Sequence, residues 1–418
     1  MTAIAFIVLP SPFVLDQKRN APLGVMYLAS QIDDCVIVDL RGVEKKDWLS
    51  HIPEAYAYGI SATSIDYDLA VELANMLKAD RSGTRILGGA HATVAKNIDP
   101  VFDVVVKGEG ENAIKAVDWT RFKRMAIQLP VSLDVRNING LYPAREKLPV
   151  ESFASTELVP NKDALLATTV IGTRGCPYNC AFCANHALWG GTIKHRPILE
   201  IIKEIKMLKD QYGIKMIKFH DDTLTMSHKR LNSLCHHLDK LDIVWRCNTR
   251  AKELDRHTAR MMKSSGCVEV AFGVEAACDT ALRLVRKRAT CADNLKTIET
   301  AKEAGIPVKA FFMVGLPGDF GDVSGRFIEF CEEAQPDAVG LSTLSPFPGS
   351  DIYEHQAEYG IKLLDPDFTK FKMYYGLNND ECDAPIMFEY NEISADELKY
   401  HRRKMLEYIE AKGMNKIG

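Results

Sequence analysis

Short apolar runs alternate with amphipathic stretches over the first 120 or so residues. Ala3–Leu9, Val36–Leu40, Ala57–Ser61, Arg85–Leu87 and Asp103–Val106 read as strands buried on both faces, because they lack the apolar–polar alternation of a half-exposed strand. Between them, roughly Leu23–Ile32, Asp66–Ala79 and Gly110–Val117 carry apolar residues at helical spacing. Strands that alternate with helices predict an α/β domain with a doubly wound parallel sheet over residues 1–120. Ligands of such sheets lie beyond the carboxyl ends of the strands, at the switch point. There the chain is small and polar: Ser61-Ala-Thr63-Ser64, Gly88-Gly89-Ala-His91 and Gly108-Glu109-Gly110-Glu111.

Residues 121–165 show little periodicity and hold four prolines, which predicts a linker. From residue 166 the alternation returns with longer helices. Expected strands are Thr169–Thr173, Lys215–Phe219, Ile243–Cys247, Val268–Phe272, Val308–Val314 and Ala338–Ser342. Six such units over residues 166–350 predict a partial (β/α)6 barrel, with its chemistry at the carboxyl ends of the strands. Residues 351–418 form an extension with an aromatic-rich stretch, Phe368–Tyr375, expected to cover the barrel mouth, and a terminal amphipathic helix near Ser394–Ala411.

Composition narrows the field. At 418 residues the chain exceeds one ordinary domain, and 46% hydrophobic with 26% charged residues is globular. The net charge is −4, and residues 1–150 hold 17 basic against 18 acidic residues, so neither half offers a basic nucleic-acid surface. No apolar run approaches the roughly 18 residues of a membrane span. Ala3–Leu9 lacks a cationic lead and a small-residue cleavage site, and reads as a strand rather than a signal peptide. A cytoplasmic chain is the expectation, with no nucleic acid as partner.

Of eleven cysteines most are scattered, but Cys176, Cys180 and Cys183 fall within eight residues as C-x3-C-x2-C, directly after an expected strand. In a reducing compartment metal or redox chemistry suits them better than disulfides. Three thiolates hold three irons of a [4Fe–4S] cube and leave the fourth iron open. The alternatives are a zinc site completed by His186, or three unrelated thiols.

This run, Arg174-Gly-Cys-Pro-Tyr-Asn-Cys-Ala-Phe-Cys183, with an aromatic residue before the third cysteine, resembles the radical S-adenosylmethionine (SAM) superfamily. The resemblance extends over residues 1–350. Upstream, Pro22–Leu28, Gly88–His91 and Gly108–Glu111 look like the cobalamin-binding class of these enzymes. Downstream, Phe219–Thr223, Cys247–Arg250, Phe272–Glu275, Gly315–Gly318 and Ser345–Ser350 follow in the same order. It implies that Cys176, Cys180 and Cys183 ligate the cluster. It implies SAM contacts from Phe182, Asp221 or Asp222, Arg250 (methionine carboxylate), Glu275 (ribose) and Gly315 (adenine). For the polar residues, helix capping or an internal ion pair is the structural alternative, and for Gly315 a plain turn.

For the first domain the resemblance implies cobalamin contacts from Ser61, Thr63, Ser64, Gly88, Gly89, His91, Gly108, Glu109 and Gly110. Ser61, Thr63 and Ser64 equally suit a cap for the helix near Asp66, and His91 suits packing at a helix start. The loop Pro10–Asn20 holds no histidine, which implies a cobalt without a histidine ligand. The activity implied is methylation of an unactivated carbon of a small-molecule or natural-product substrate. It would use a [4Fe–4S] cluster, SAM and cobalamin, with a flavodoxin- or ferredoxin-type electron donor. The alternatives are a radical SAM dehydratase, epimerase or cyclase, and a non-catalytic metal-binding scaffold.

Overall fold

The computed structural model describes residues 1–11, 16–120, 127–130, 140–159, 163–365, 367–370, 374–375 and 384–414, with backbone alone at 127–130, 369 and 374–375. The chain divides into two compact units: Met1–Ser155 with Ala187–Trp189, and Thr156–His186 with Gly190–Gly418.

The first unit is built on β1 (Thr2–Val8), β2 (Cys35–Asp39), β3 (Ala55–Ser61), β4 (Thr84–Gly88), β5 (Val104–Lys107) and β6 (Ile127–Pro130). All pair in parallel, in the order β2-β1-β3-β4-β5-β6. The order reverses between β1 and β3, which sets the switch point there. Ile4, Ala5, Phe6 and Ile7 are all at most 1% exposed, and they divide between two apolar clusters, one on each face of the sheet. Burial on both faces is why this strand reads as an unbroken apolar run. β6 comes from the stretch expected to be a linker. Four prolines and the lack of a regular apolar spacing hid it.

β7 (Ala154–Glu157) runs across the division of the chain, and the second unit holds β8 (Leu165–Val170), β9 (Thr173–Arg174), β10 (Lys194–His195), β11 (Met216–Phe219), β12 (Val244–Thr249), β13 (Cys267–Glu275), β14 (Val308–Val314), β15 (Ala338–Thr343), β16 (Lys362–Leu363), β17 (Tyr374–Tyr375) and β18 (Phe388–Glu389). The main sheet runs β17-β15-β14-β13-β12-β11-β8-β7, with parallel pairing from β8 through β15. Its six parallel strands match the six expected barrel strands, but the first begins and ends earlier. The chain breaks after Val170, and Thr173–Arg174 pairs antiparallel with Lys194–His195 instead. Side chains alternate across the sheet. Phe219 and Trp245, with ring centroids 5.7 Å apart, lie on one face. On the other, Lys218, Arg246 and Glu269 sit in register on neighbouring strands. Lys218 pairs with Glu157 at 2.8 Å, and Arg246 lies 3.5 Å from Glu269 and 3.7 Å from Glu157. Such buried charges are tolerated because each has an opposite partner.

The terminal helix is Ala395–Ala411, opened by a capping box between Ser394 and Glu397. In the aromatic stretch, Phe371 lies outside the described residues and β17 pairs with β15. Phe368 packs on Phe347 and Tyr353, centroids 5.7 and 5.8 Å away. No helix among the described residues is long and apolar enough to cross a membrane.

Candidate active site

The three clustered cysteines lie on the loop that follows β9. The loop is pinned from several sides. Ala181 N donates to Val285 O at 2.9 Å and Ile352 N donates to Ala181 O at 3.0 Å. Arg286 Nε donates to Asn179 O at 3.1 Å. Upstream, Asp221 is fully buried, accepting from Gly172 N at 2.9 Å and from Thr173 Oγ1 at 2.6 Å. Burial pushes the Asp221 carboxyl up to about 6. Arg230 and Arg196 donate to the carbonyls of Gly172 and Ile171 at 3.1 and 2.9 Å, and Arg196 pairs with fully buried Glu204 at 2.7 Å. Asp221 therefore fastens the base of the cysteine loop. Both its oxygens are in use, whereas the side chain of Asp222, the other member of the acidic pair, is exposed.

Cys180 is buried, while Cys176 and Cys183 are half-buried. Burial raises the Cys176 thiol and pushes Cys183 up to about 12, and Asp222 and the neighbouring thiols add to both shifts. Thiols so placed hold their protons near neutral pH and release them to a bound cation. Among the described residues no group of three or more His, Cys, Asp or Glu side chains is placed to hold a single metal ion. A cube does not require one, since each cysteine binds a different iron. His186, the candidate zinc ligand, is exposed and lies on Gly191, where a Cβ would stand 2.7 Å from its ring.

Arg250 ends the loop's surroundings. It is 7% exposed, its Nη1 lies 3.4 Å from Cys180 Sγ, and its guanidinium carbon sits 3.7 Å from the Tyr178 ring centroid. Tyr178 is held in turn by its hydroxyl, which donates to Glu253 Oε1 at 2.6 Å. Arg250 Nη2 is buried with no hydrogen-bond partner. A guanidinium nitrogen left unpaired costs stability unless an acceptor arrives, and the planar fork suits a carboxylate. Neither Tyr178 nor Glu253 was singled out in the sequence. The aromatic residue between two clustered cysteines was the available signal for Tyr178.

The remaining expected SAM contacts divide. Phe182 is half-buried on the cysteine loop. Glu275 closes β13 in the left-handed region, at φ 68°, with its carboxylate 2.5 Å from Lys287 Nζ. The ion-pair alternative thus describes Glu275, and Lys287, 5% exposed, was not anticipated. Gly315 has φ 90°, and a Cβ there would stand 2.6 Å from Phe388 Cζ; its carbonyl accepts from Tyr390 Oη at 2.7 Å. Packing under Phe388 and Tyr390 accounts for this glycine, so no side-chain-free approach for adenine is needed to explain it.

In the first unit the expected cobalamin contacts all lie at the carboxyl edge of the sheet, after β3, β4 and β5. Most of their polar groups are consumed internally. His91 is buried, stacks on Tyr67 at 3.9 Å between centroids, and shares a hydrogen bond of 3.0 Å with Ser64 Oγ. Burial lowers its pKa to about 4, so it is neutral. Thr63 Oγ1 donates to Asp66 at 2.8 Å, and Gly108 N donates to Thr93 Oγ1 at 2.9 Å. The edge is nevertheless poor in side chains. A Cβ at Gly88 would meet nothing within 4 Å, whereas Gly89, at φ 91°, lies against Ala62 and Ser61. Glu109 and Gly110 are half-buried there. In the histidine-free loop Pro10–Asn20, residues 12–15 lie outside the described residues.

Residues 170–330 match the Radical SAM superfamily. That segment is a radical SAM domain, and the chain is an enzyme. It is 28% identical to an uncharacterized methyltransferase of Pyrococcus horikoshii, over 84% of this chain and 81% of that one. It is 26% identical to the anaerobic magnesium-protoporphyrin IX monomethyl ester cyclase of Rubrivivax gelatinosus over 68% of this chain, which spans 55% of that relative's length. Its fold is similar to the structure of the radical S-adenosylmethionine methyltransferase TsrM from Kitasatospora setae with cobalamin and a [4Fe–4S] cluster bound. There the TM-score is 0.66 at 15% identity, covering 96% of this chain and 85% of that one.

Proposed function

We propose that the chain is a cobalamin-dependent radical SAM methyltransferase that methylates an unactivated carbon of a small-molecule or natural-product substrate, drawing its electron from a flavodoxin- or ferredoxin-type donor. The observation that carries the reading is the buried, unpartnered Arg250 Nη2 beside Cys180, on a loop that also bears Cys176 and Cys183. Bound there, the cluster and SAM supply one-electron cleavage chemistry, and a corrin supplies the methyl group.

The chain's residues do the positioning. Cys176, Cys180 and Cys183 hold three irons, and Asp221 with Arg230 fixes the base of their loop. Arg250 takes the methionine carboxylate, oriented by Tyr178 below it, and exposed Asp222 takes the methionine amino group. Ser61, Gly88, Gly89 and Gly108 offer a corrin tail an edge with few side chains. With His91 buried, stacked on Tyr67 and bonded to Ser64, and no histidine in Pro10–Asn20, a corrin held here would meet no free histidine from these positions. Similarity to the Pyrococcus methyltransferase and to TsrM supports methyl transfer.

The test is anaerobic reconstitution with iron, sulfide, SAM and hydroxocobalamin. Corrin uptake by the chain, and electron paramagnetic resonance of its cob(II)alamin form without nitrogen superhyperfine splitting, are the expected results. SAM cleavage by a protein that never takes up corrin would sink the methyltransferase reading and favour a cyclase-like activity.

A further inference from the structure

Electrons for a cluster on the Cys176–Cys183 loop must arrive from outside, and the loop borders a cavity of about 570 Å3 on the second unit. Four of its lining residues are cationic: Lys252, Arg283, Arg286 and Arg288. Asn179, immediately before Cys180, lines it too. Two of the cations are committed, Arg286 to Asp351 at 2.7 Å and Lys252 to Asp293 at 3.0 Å. The other two are not. Arg283 is exposed, and its side chain has no hydrogen-bond or ion-pair partner among the described residues. Arg288, also exposed, reaches only Asn179 Oδ1 at 3.5 Å and the Tyr178 ring at 6.0 Å. The one carboxylate lining the cavity, Asp279, already accepts from Cys291 N at 2.7 Å.

The backbone here is also unusual. Lys252, Arg286 and Arg288 all have positive φ, at 74°, 55° and 58°. Long side chains rarely occupy that region, and when they do the surroundings hold them there, commonly at a functional surface. On a chain whose net charge is −4, two arginines without a carboxylate partner among the described residues, set against the cysteine loop, are a local positive focus that steers an acidic partner.

We propose that this cavity is the docking point for a small, acidic one-electron carrier protein, which passes its electron to the cluster through the Asn179–Cys180 segment. The proposal rests on the functional reading above. In the transfer the carrier is oxidised by one electron and the cluster reduced by one; no bond forms or breaks and no proton moves. Acidic side chains on the carrier pair with Arg283 and Arg288, while Arg286, donating to Asn179 O, keeps the loop still beneath them.

The test uses cluster-loaded full-length chain and a flavodoxin as the probe. Flavodoxin affinity is measured by biolayer interferometry from about 0.05 M to about 0.5 M salt, over which surface charge is progressively screened. The Arg283→Glu/Arg288→Glu variant is expected to bind at least about tenfold more weakly at low salt and with a flatter salt dependence. The Arg283→Lys/Arg288→Lys variant should keep most of the affinity, and dithionite should reduce all three proteins alike. Unchanged flavodoxin affinity in the charge-reversed variant would overturn the docking site. So would a reversal that abolishes binding of inorganic phosphate alone, marking a small-anion pocket. A wild type that takes up no iron and sulfide would instead overturn the functional reading, and this site with it.

Discussion

The carboxyl edges of the two sheets carry similar vocabularies, acidic and hydroxyl side chains, histidine and glycine, yet they use them differently. In the first unit most of the polar groups close on one another, Ser64 with His91, Thr63 with Asp66 Oδ2 and Thr93 with Gly108, and Asp66 Oδ1 is left buried without a hydrogen-bond partner. In the second, Arg250 keeps a buried nitrogen without a partner and Asp222 stands exposed beside the cysteine loop. A satisfied group contributes to stability and gains little from a ligand. An orphaned one loses by burial until a ligand arrives. The difference separates scaffold from site more sharply than residue type does. Asp221 and Glu275, both expected SAM contacts, already have partners within the fold.

The largest expected effect tests the site side. Replacing Cys176, Cys180 and Cys183 by Ala together should abolish iron uptake and SAM cleavage while leaving the fold intact by circular dichroism. Iron retained at the wild-type level in that variant would remove the cluster from this loop.

Glu275 tests the scaffold side. Glu275→Ala leaves buried Lys287 without its partner, which should cost about 3–5 kcal/mol in urea unfolding. Pairing it with Lys287→Met should recover most of that loss. Weaker SAM binding with unaltered stability would return Glu275 to the ligand.

For the first unit, the sign of the His91 shift sets the direction. Its folded value is depressed to about 4 from 6.5, so the unfolded chain takes up a proton first as pH falls. Stability should drop by up to about 3 kcal/mol between pH 6.5 and 4, and be fully present above that window. His91→Phe, which keeps the stack on Tyr67, should flatten this dependence without changing corrin uptake. A loss of corrin uptake would make His91 a cofactor contact after all.

Arg250→Met should be the mildest. Removing a charge-assisted contact of about 1.5–3 kcal/mol should weaken SAM binding about tenfold to a hundredfold, with iron content unchanged. Unaltered SAM affinity would place the methionine carboxylate elsewhere.

Much of this was legible in the chain itself. Buried parallel strands are continuous apolar runs, so β1 to β5 and the strands from β11 to β15 could be located within a few residues from hydrophobicity alone. C-x3-C-x2-C marked the cluster loop for a chemical reason, since three thiols that close together have little structural use in a reducing compartment. What periodicity does not carry is pairing between distant segments. Nothing local to Asp221 says that Gly172 and Thr173 will occupy its oxygens. Nothing local to Glu275 announces Lys287, and Gly315 gives no sign that Phe388 will lie on it. β6 was missed because it is four residues long and ends on a proline, too short for a periodic pattern. The sequence by itself determined the elements and the residues able to do chemistry, because both follow from side-chain type and spacing. Only the tertiary structure decided which of those residues spend their hydrogen bonds on the fold and which remain to bind something else, because that depends on partners far apart in the chain.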